Sequence, residues 1–290
     1  MHPLTRHILD NNNVVWDDYT PLTLGGKDLG RVHKNVASLL CDSKLLVEAD
    51  GALTLKDERP DVDGRTQQLR TILHLLIEKK FVAKERFETY SVASSFKDAP
   101  IALVDRALIP ALGFVAYGVH CNGYVKKDSS KKDGGIHLWV GKRSSDRATD
   151  PGKYDHMIAG GQPHGLTAMQ NLAKEAHEEA GVPANIIERA HSVGCITYAK
   201  AQPNGIRRDV LFTFDLKCPD DFTPRNVDGE VENFRLMKAD EVLRLIHTGN
   251  DFKFNVNLVL IDFFIRHGII LSDEAGYSEL CAALHSPHHS

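Results

Sequence analysis

Apolar residues follow two rhythms along this chain, and the switches between them mark its elements. Alternation across Pro21–Val32 predicts two short strands about the Gly25-Gly26 turn. His33–Ser43 is predicted as a helix. Lys44–Leu55 alternates again around Asp50-Gly51, a hairpin signal. In Asp63–Lys80 the rhythm becomes helical, with Leu69, Ile72, Leu73, Leu76 and Ile77 on one face. Arg86–Phe96 is predicted as a strand.

The texture changes at Ile109. Ala111–Val125 is long, β-rich and punctuated by glycine. Lys126–Gly135 is a polar hairpin loop, and Ile136–Ser144 alternates as the return strand. Two further strands are predicted at Ala190–Ala199 and Arg207–Cys218. Glu232–Gly249 reads as a strand and then an amphipathic helix, and Asn255–Ile269 as an apolar buried helix. The tail His285–Ser290 is expected to be disordered. The pattern divides the chain into a smaller N-terminal α+β domain (1–110), a catalytic candidate (111–250) and C-terminal helices packed on it with the tail (251–290). The N-terminal unit shows no catalytic signature.

Composition narrows the function classes. The formal net charge is -4, which gives no reason to expect nucleic acid or an anionic membrane. No apolar run approaches the ~20 residues of a membrane helix. The first residues lack the apolar core of a secretory signal and the Arg and Ser of a transit peptide. Cys41, Cys121, Cys195, Cys218 and Cys281 are scattered, so reduced thiols and a cytoplasmic location are expected.

One stretch carries chemistry. Lys174–Val182 places Glu175, Glu178 and Glu179 on one helical face, with Leu172, Ala173, Ala176 and Ala180 opposite. Gly181 stands where such a helix stops, with Pro183 beyond it. Like charges at this spacing repel, and anions near a helix C-terminus oppose the dipole. A bound divalent cation reverses both effects, and Mg²⁺ selects oxygen ligands and pairs with phosphates. By itself the E-x-x-E-E pattern is common on solvated helices. Here a Gly-rich loop, Met157–Thr167, feeds the helix, and its glycines allow close approach of a ligand.

These residues resemble the signature of the Nudix hydrolases: an opening glycine, a glutamate, then Arg-Glu-apolar-x-Glu-Glu-x-Gly-apolar. Gly160 falls at the opening glycine, and Glu175, Ala176, Glu178, Glu179, Gly181 and Val182 fit the run. Lys174 stands for the arginine, Leu166 for the first glutamate, and the loop is one residue short. Trp139–Asp155 and Asp228–Val242 are similar to the family's flanking segments, so the likeness covers 109–249.

The resemblance implies an α+β fold, a mixed sheet in an α/β/α sandwich with a catalytic loop-helix. It implies hydrolysis of a diphosphate with Mg²⁺ or Mn²⁺. Glu175, Glu178 and Glu179 become the metal ligands, the Gly160 carbonyl completes the shell, and Lys174 sits among them. Glu230 on the later acidic loop is a candidate ligand or general base. Arg143, Arg147, Lys153, Arg207 and Arg208 are candidates for the terminal phosphate, although surface solvation explains each of them too. Tyr117, Tyr124 and Tyr198 suit a ring pocket or the core equally. His120, His137 and His164 show no ligand spacing and are expected to be structural.

Ala159–Gly165, Asn171 and the long N-terminal unit resemble one subgroup, the thiamine pyrophosphokinase-related Nudix proteins. That likeness implies action on thiamine diphosphate or its oxo and oxy forms. Two other readings stand beside it: a hydrolase of nucleoside diphosphate derivatives, and a non-catalytic binding module, which the loss of glutamate at Leu166 favours. The expected partner is a small-molecule diphosphate, with no nucleic acid and no membrane; a homodimer is left open.

Overall fold

The computed structural model describes residues 1–286 apart from Lys131, Ala148 and Asn204. It opens with a short helix, α1 (Thr5–Asp10), that the apolar rhythm did not announce. Strands β1 (Tyr19–Leu24) and β2 (Lys27–His33) pair antiparallel, followed by helix α2 (Lys34–Asp42). The hairpin β3 (Leu46–Ala49) and β4 (Ala52–Leu55) joins them through a parallel β1–β4 pairing. Helix α3 (Val62–Glu78) starts at Asp61, whose side chain accepts from the Gly64 N–H at 2.7 Å. Its predicted apolar face is the buried one, with Leu69, Ile72, Leu73 and Leu76 enclosed. Strands β5 (Thr89–Val92) and β6 (Ala102–Asp105) form a separate ribbon, and α4 (Ile109–Leu112) leads out. These residues share one core that ends at Phe114.

The second core is a sandwich. Its strands are β7 (Val115–Lys127), β8 (Gly135–Arg143), β9 (Tyr154–His156), β10 (Ile158–Gly161), β11 (His191–Gln202), β12 (Gly205–Lys217) and β13 (Val231–Lys238). The sheet order is β11-β12-β7-β8-β13, with β10 on β7 and β9 on β8. Among the pairings of these strands in the described residues, β7–β12 is parallel and the rest antiparallel, so the sheet is mixed. Successive side chains point to opposite faces of a strand. Helix α5 (Ala168–Ala180) therefore meets Val119, Cys121, Phe214 and Leu216 on one face, and α6 (Ala184–Ile187) follows it. The helices α7 (Ala239–Thr248) and α8 (Val256–Arg266) meet Leu138, Val140, Tyr198 and Leu211 on the other, with α9 (Tyr277–Leu284) beside α8. Val256 to Phe264 are all buried, as a helix apolar on every side must be. Among the described residues no helix is long and apolar enough to cross a membrane.

Two placements differ from expectation. The first helix was grouped with the N-terminal unit, yet Leu4 and Ile8 pack into the core of α8 and α9. Arg6 donates to the carbonyls of Ile246 and Gly249, both at 2.8 Å. Of the tail, Ser286 is held by its hydroxyl on the Ala282 carbonyl at 2.7 Å, while residues 287–290 lie outside the described residues.

Candidate active site

The helix that carries the glutamates is fixed at both ends. Thr167 and Gln170 form a reciprocal cap: the Gln170 N–H donates to Thr167 Oγ1 at 3.1 Å, and the Thr167 N–H donates to Gln170 Oε1 at 2.9 Å. At the far end Gly181 adopts φ 59°, a conformation that costs a side-chain-bearing residue, and its N–H reaches the carbonyl of His177. Asn171, fully buried in the first turn, donates to the Gly161 carbonyl at 2.8 Å and so ties the Gly-rich loop to the helix.

Glu175, Glu178 and Glu179 follow one another along the helix, with Glu179 buried, Glu175 half-buried and Glu178 exposed; among the described residues their carboxylates are not drawn together into a preformed ligand cluster. Glu179 is 8% exposed, and its Oε2 accepts from the Ala159 N–H at 2.9 Å. Burial pushes its pKa well above the carboxylate range, the Ala159 N–H pulls against this, and Glu175, Asp155 and Glu230 push further up. Glu175 is raised as well, by burial first, with Lys174 opposing and Glu178 and Glu88 adding to it. Gly160 is required by packing: a Cβ there would collide with the Glu175 carboxyl. Lys174 spans Glu175 at 3.2 Å and Glu178 at 2.7 Å. Desolvation would lower its pKa, but the contacts with Glu178 and Glu175 win and raise it to about 12. Lys174 thus pairs with two of the three carboxylates, and Glu179 is held by the Ala159 N–H alone among the described residues. This set of hard oxygen donors, short of positive charge, fits a divalent ion such as Mg²⁺ or Mn²⁺.

The N-terminal unit reaches this loop directly. The Thr89 carbonyl accepts from the His164 N–H at 2.8 Å, and Ser91 Oγ lies 2.7 Å from His164 Nδ1. The Tyr90 hydroxyl rests where a Cβ of Gly161 would be. Arg106 covers the Tyr90 ring, 5.7 Å from its centroid, and pairs with Glu88 at 2.9 Å. These residues were not read from the sequence. They lie on separate elements, and no spacing connects them to the helix.

The five basic candidates for the phosphate separate. Arg143 is buried; it donates to the Thr149 carbonyl at 2.8 Å and pairs with Asp155 at 2.6 Å. Arg208 is also buried and donates to the carbonyls of Gly113 at 3.0 Å and Leu29 at 3.4 Å. Both are engaged within the fold: Arg143 braces the loop before β9, and Arg208 joins the two cores. Arg147 pairs with Glu230, which brings two candidates together, and Lys153 pairs with Asp150 at 3.0 Å. Arg207 pairs with Asp209 at 3.3 Å and lies 5.3 Å over the Phe254 ring.

A second buried cluster holds His120, Asp155 and His156. The Nδ1 atoms of His120 and His156 are 2.8 Å apart. That is the separation of a hydrogen bond, shorter than the roughly 3.3 Å between two nitrogens on a tetrahedral ion. Burial lowers both rings, His156 to about 4, so one neutral ring donates to the other. Asp155 already meets Arg143 and, at 3.3 Å, Lys253. Two cations on the one carboxylate make this a structural network, which agrees with the structural reading of His120.

Comparison with known proteins adds the family. A NUDIX domain matches residues 129–257, and a domain of unknown function, DUF4743, matches residues 4–116. The chain is 37% identical over 273 residues to an Arabidopsis thaliana protein named Nudix hydrolase 20, chloroplastic, covering 91% of this chain and 72% of that one. It is 34% identical over 256 residues to an uncharacterized protein of Saccharomyces cerevisiae, covering 83% and 72%. A solved structure from Deinococcus radiodurans aligns with TM-score 0.43 and 17% identity over 60% of this chain and 98% of that one. The capped glutamate helix, its glycine lead-in and relatives aligned across both cores lead to one conclusion: the chain belongs to the Nudix hydrolase family, pyrophosphohydrolases that act on small molecules and generally use divalent metal ions.

Proposed function

We propose that this Nudix hydrolase cleaves thiamine diphosphate, or its oxo and oxy forms, to the monophosphate by attack of water on phosphorus. The observation that carries the reading is the Ala159–Gly165 loop with Leu166 and Asn171, held against β5 of the N-terminal unit. The sequence of that loop and the presence of that unit are what resemble the thiamine-related subgroup.

Glu175, Glu178, Glu179 and the Gly160 carbonyl are the proposed oxygen donors to the ion. The ion supplies charge neutralisation for the diphosphate and lowers the pKa of a bound water. The protein's own contribution is positioning. The Ala159 N–H orients Glu179, and Lys174 holds Glu175 and Glu178 together. Glu230, paired with Arg147, is the proposed proton acceptor, free to act if Arg147 exchanges it for a phosphate oxygen. Arg106 and Arg207 add positive charge near Tyr90.

Side-by-side kinetics at one Mg²⁺ concentration test the substrate. Oxo- or oxythiamine diphosphate is expected to give a higher kcat/KM than ADP-ribose, dinucleoside polyphosphates or nucleoside triphosphates. A nucleotide ahead by about tenfold or more would overturn the thiamine assignment and leave the family activity standing.

A further inference from the structure

Beside the Gly-rich loop lies a cleft between the two cores. Tyr90 and Phe96 from the N-terminal unit form one wall; Tyr117, Gln162 and Leu166 form the other. None of its lining residues carries a formal charge. The cleft adjoins the carboxylates through a short chain of contacts. Tyr90 lies on Gly161, and the neighbouring Gly160 lies on Glu175.

Two features of the lining point to a ligand. The first is aromatic. Phe96 meets Tyr117 at 5.0 Å and Phe212 at 4.7 Å between ring centroids, and Tyr117 stacks on Phe212 with 11° between their planes. Phe96 and Tyr117 are only half-buried, so ring surface remains for a planar guest. The second is polar. Gln162 is 5% exposed, and its Nε2 donates to the Leu166 carbonyl at 2.9 Å. That bond fixes which end of the amide is nitrogen. Its Oε1 is buried and has no hydrogen-bond partner among the described residues. An unpaired buried acceptor is costly, and a ligand donor relieves it.

We propose that this cleft binds the non-phosphate part of the substrate as a planar, heteroaromatic ring that gives an N–H to Gln162 Oε1. The inference rests on diphosphate hydrolysis at α5 and specifies what else the substrate carries. Leu166 is part of it: an apolar wall stands where a glutamate would bring charge to the ring. The N-terminal unit is then a specificity element, because the loop after β5 supplies Phe96.

The test uses the full chain with Mg²⁺. Inhibition constants are measured against the best-hydrolysed diphosphate for four probes. These are thiamine diphosphate, its analogue lacking the pyrimidine amino group, ADP-ribose, and the ring-free isopentenyl diphosphate. Where a probe is itself that substrate, its KM is read instead. Phe96→Ala is expected to weaken the ring-bearing probes by about tenfold and isopentenyl diphosphate by less than about twofold. Gln162→Leu is expected to abolish the preference for the amino-bearing ring over its deaminated analogue. Equal effects of Phe96→Ala on ring-bearing and ring-free probes would overturn the proposal. So would a preference for the amino group that survives in Gln162→Leu. If ADP-ribose proves the better substrate and Phe96→Ala weakens it selectively, the cleft stands and only the thiamine assignment falls.

Discussion

The sandwich buries charge on both faces, and the two groups are composed differently. On the α8 face Asp215 meets Arg266 at 2.6 Å and His267 at 3.0 Å, while Asp262 meets Arg266 at 2.7 Å. Acids and bases are matched there. On the α5 face Lys174 pairs with Glu175 and Glu178, and Glu179 has no cation partner among the described residues. Burial raises carboxylic acids in both places. At Asp215 the hydrogen bonds from His267 and Arg266 outweigh it and bring the pKa down to about 2. At Glu179 a single backbone N–H does not, and the pKa stays raised. A matched cluster is complete as folded. An unmatched one has negative charge to spare, and the proposed metal role draws on that.

Removing the ion should break the contrast most severely. Excess EDTA is expected to abolish turnover, and added Mg²⁺ or Mn²⁺ to restore it; turnover unchanged in EDTA would refute the metal role. Glu178→Gln keeps the side chain's size and removes one charge, and kcat should fall by about a hundredfold or more. Near wild-type kcat would return the cluster to a solvated face. The matched cluster should respond in stability instead. Asp215→Asn leaves Arg266 and His267 without their main partner and should cost about 2 kcal/mol in denaturant unfolding. The kcat of the folded variant should be unchanged.

Acid should reveal the same difference more gently. Asp215 has a lowered pKa in the folded chain. Its stabilisation is therefore present above the ordinary carboxylate value, about 4, and is lost as pH falls through about 2. Unfolding curves of Asp215→Asn should show a flatter pH dependence across that window than the wild type. The smallest effect belongs to the unmatched face without metal. There Glu178→Gln should change stability by no more than a few tenths of a kcal/mol, since it removes both like-charge repulsion and the Lys174 pair. A clear loss of melting temperature in EDTA would count against this.

How much of this was legible in the sequence depends on how local each feature is. The Asp50-Gly51 hairpin, the α3 face and the strand β7 follow from periods of two and 3.6 residues, and they appear as read. The three glutamates were legible because one short stretch of helix carries them. Tyr90, Arg106, Gln162 and Lys253 were not, because contacts between distant segments bring them near the site. Arg143 and Arg208 misled for a related reason: an arginine inside an ion pair and one facing solvent are the same letter. The six-residue helix α1 is too short to show a period, and its burial is decided by α8 and α9.

The first helix also decides how the N-terminal unit is attached. From α1 the chain passes along the edge of the sheet, where Asn12 and Asn13 accept hydrogen bonds from the Ala199 and Ala201 N–H groups at 2.9 Å. It then forms the N-terminal core and returns at β7. The N-terminal unit is therefore tied to the sandwich at both ends, by α1 on one side and by the run into β7 on the other. Cutting the chain at the apparent boundary would strip Leu4 and Ile8 from the α8 core and uncover the β11 edge. An exchange of this unit between relatives should therefore preserve residues 1–13 in place and swap only what lies between them and β7.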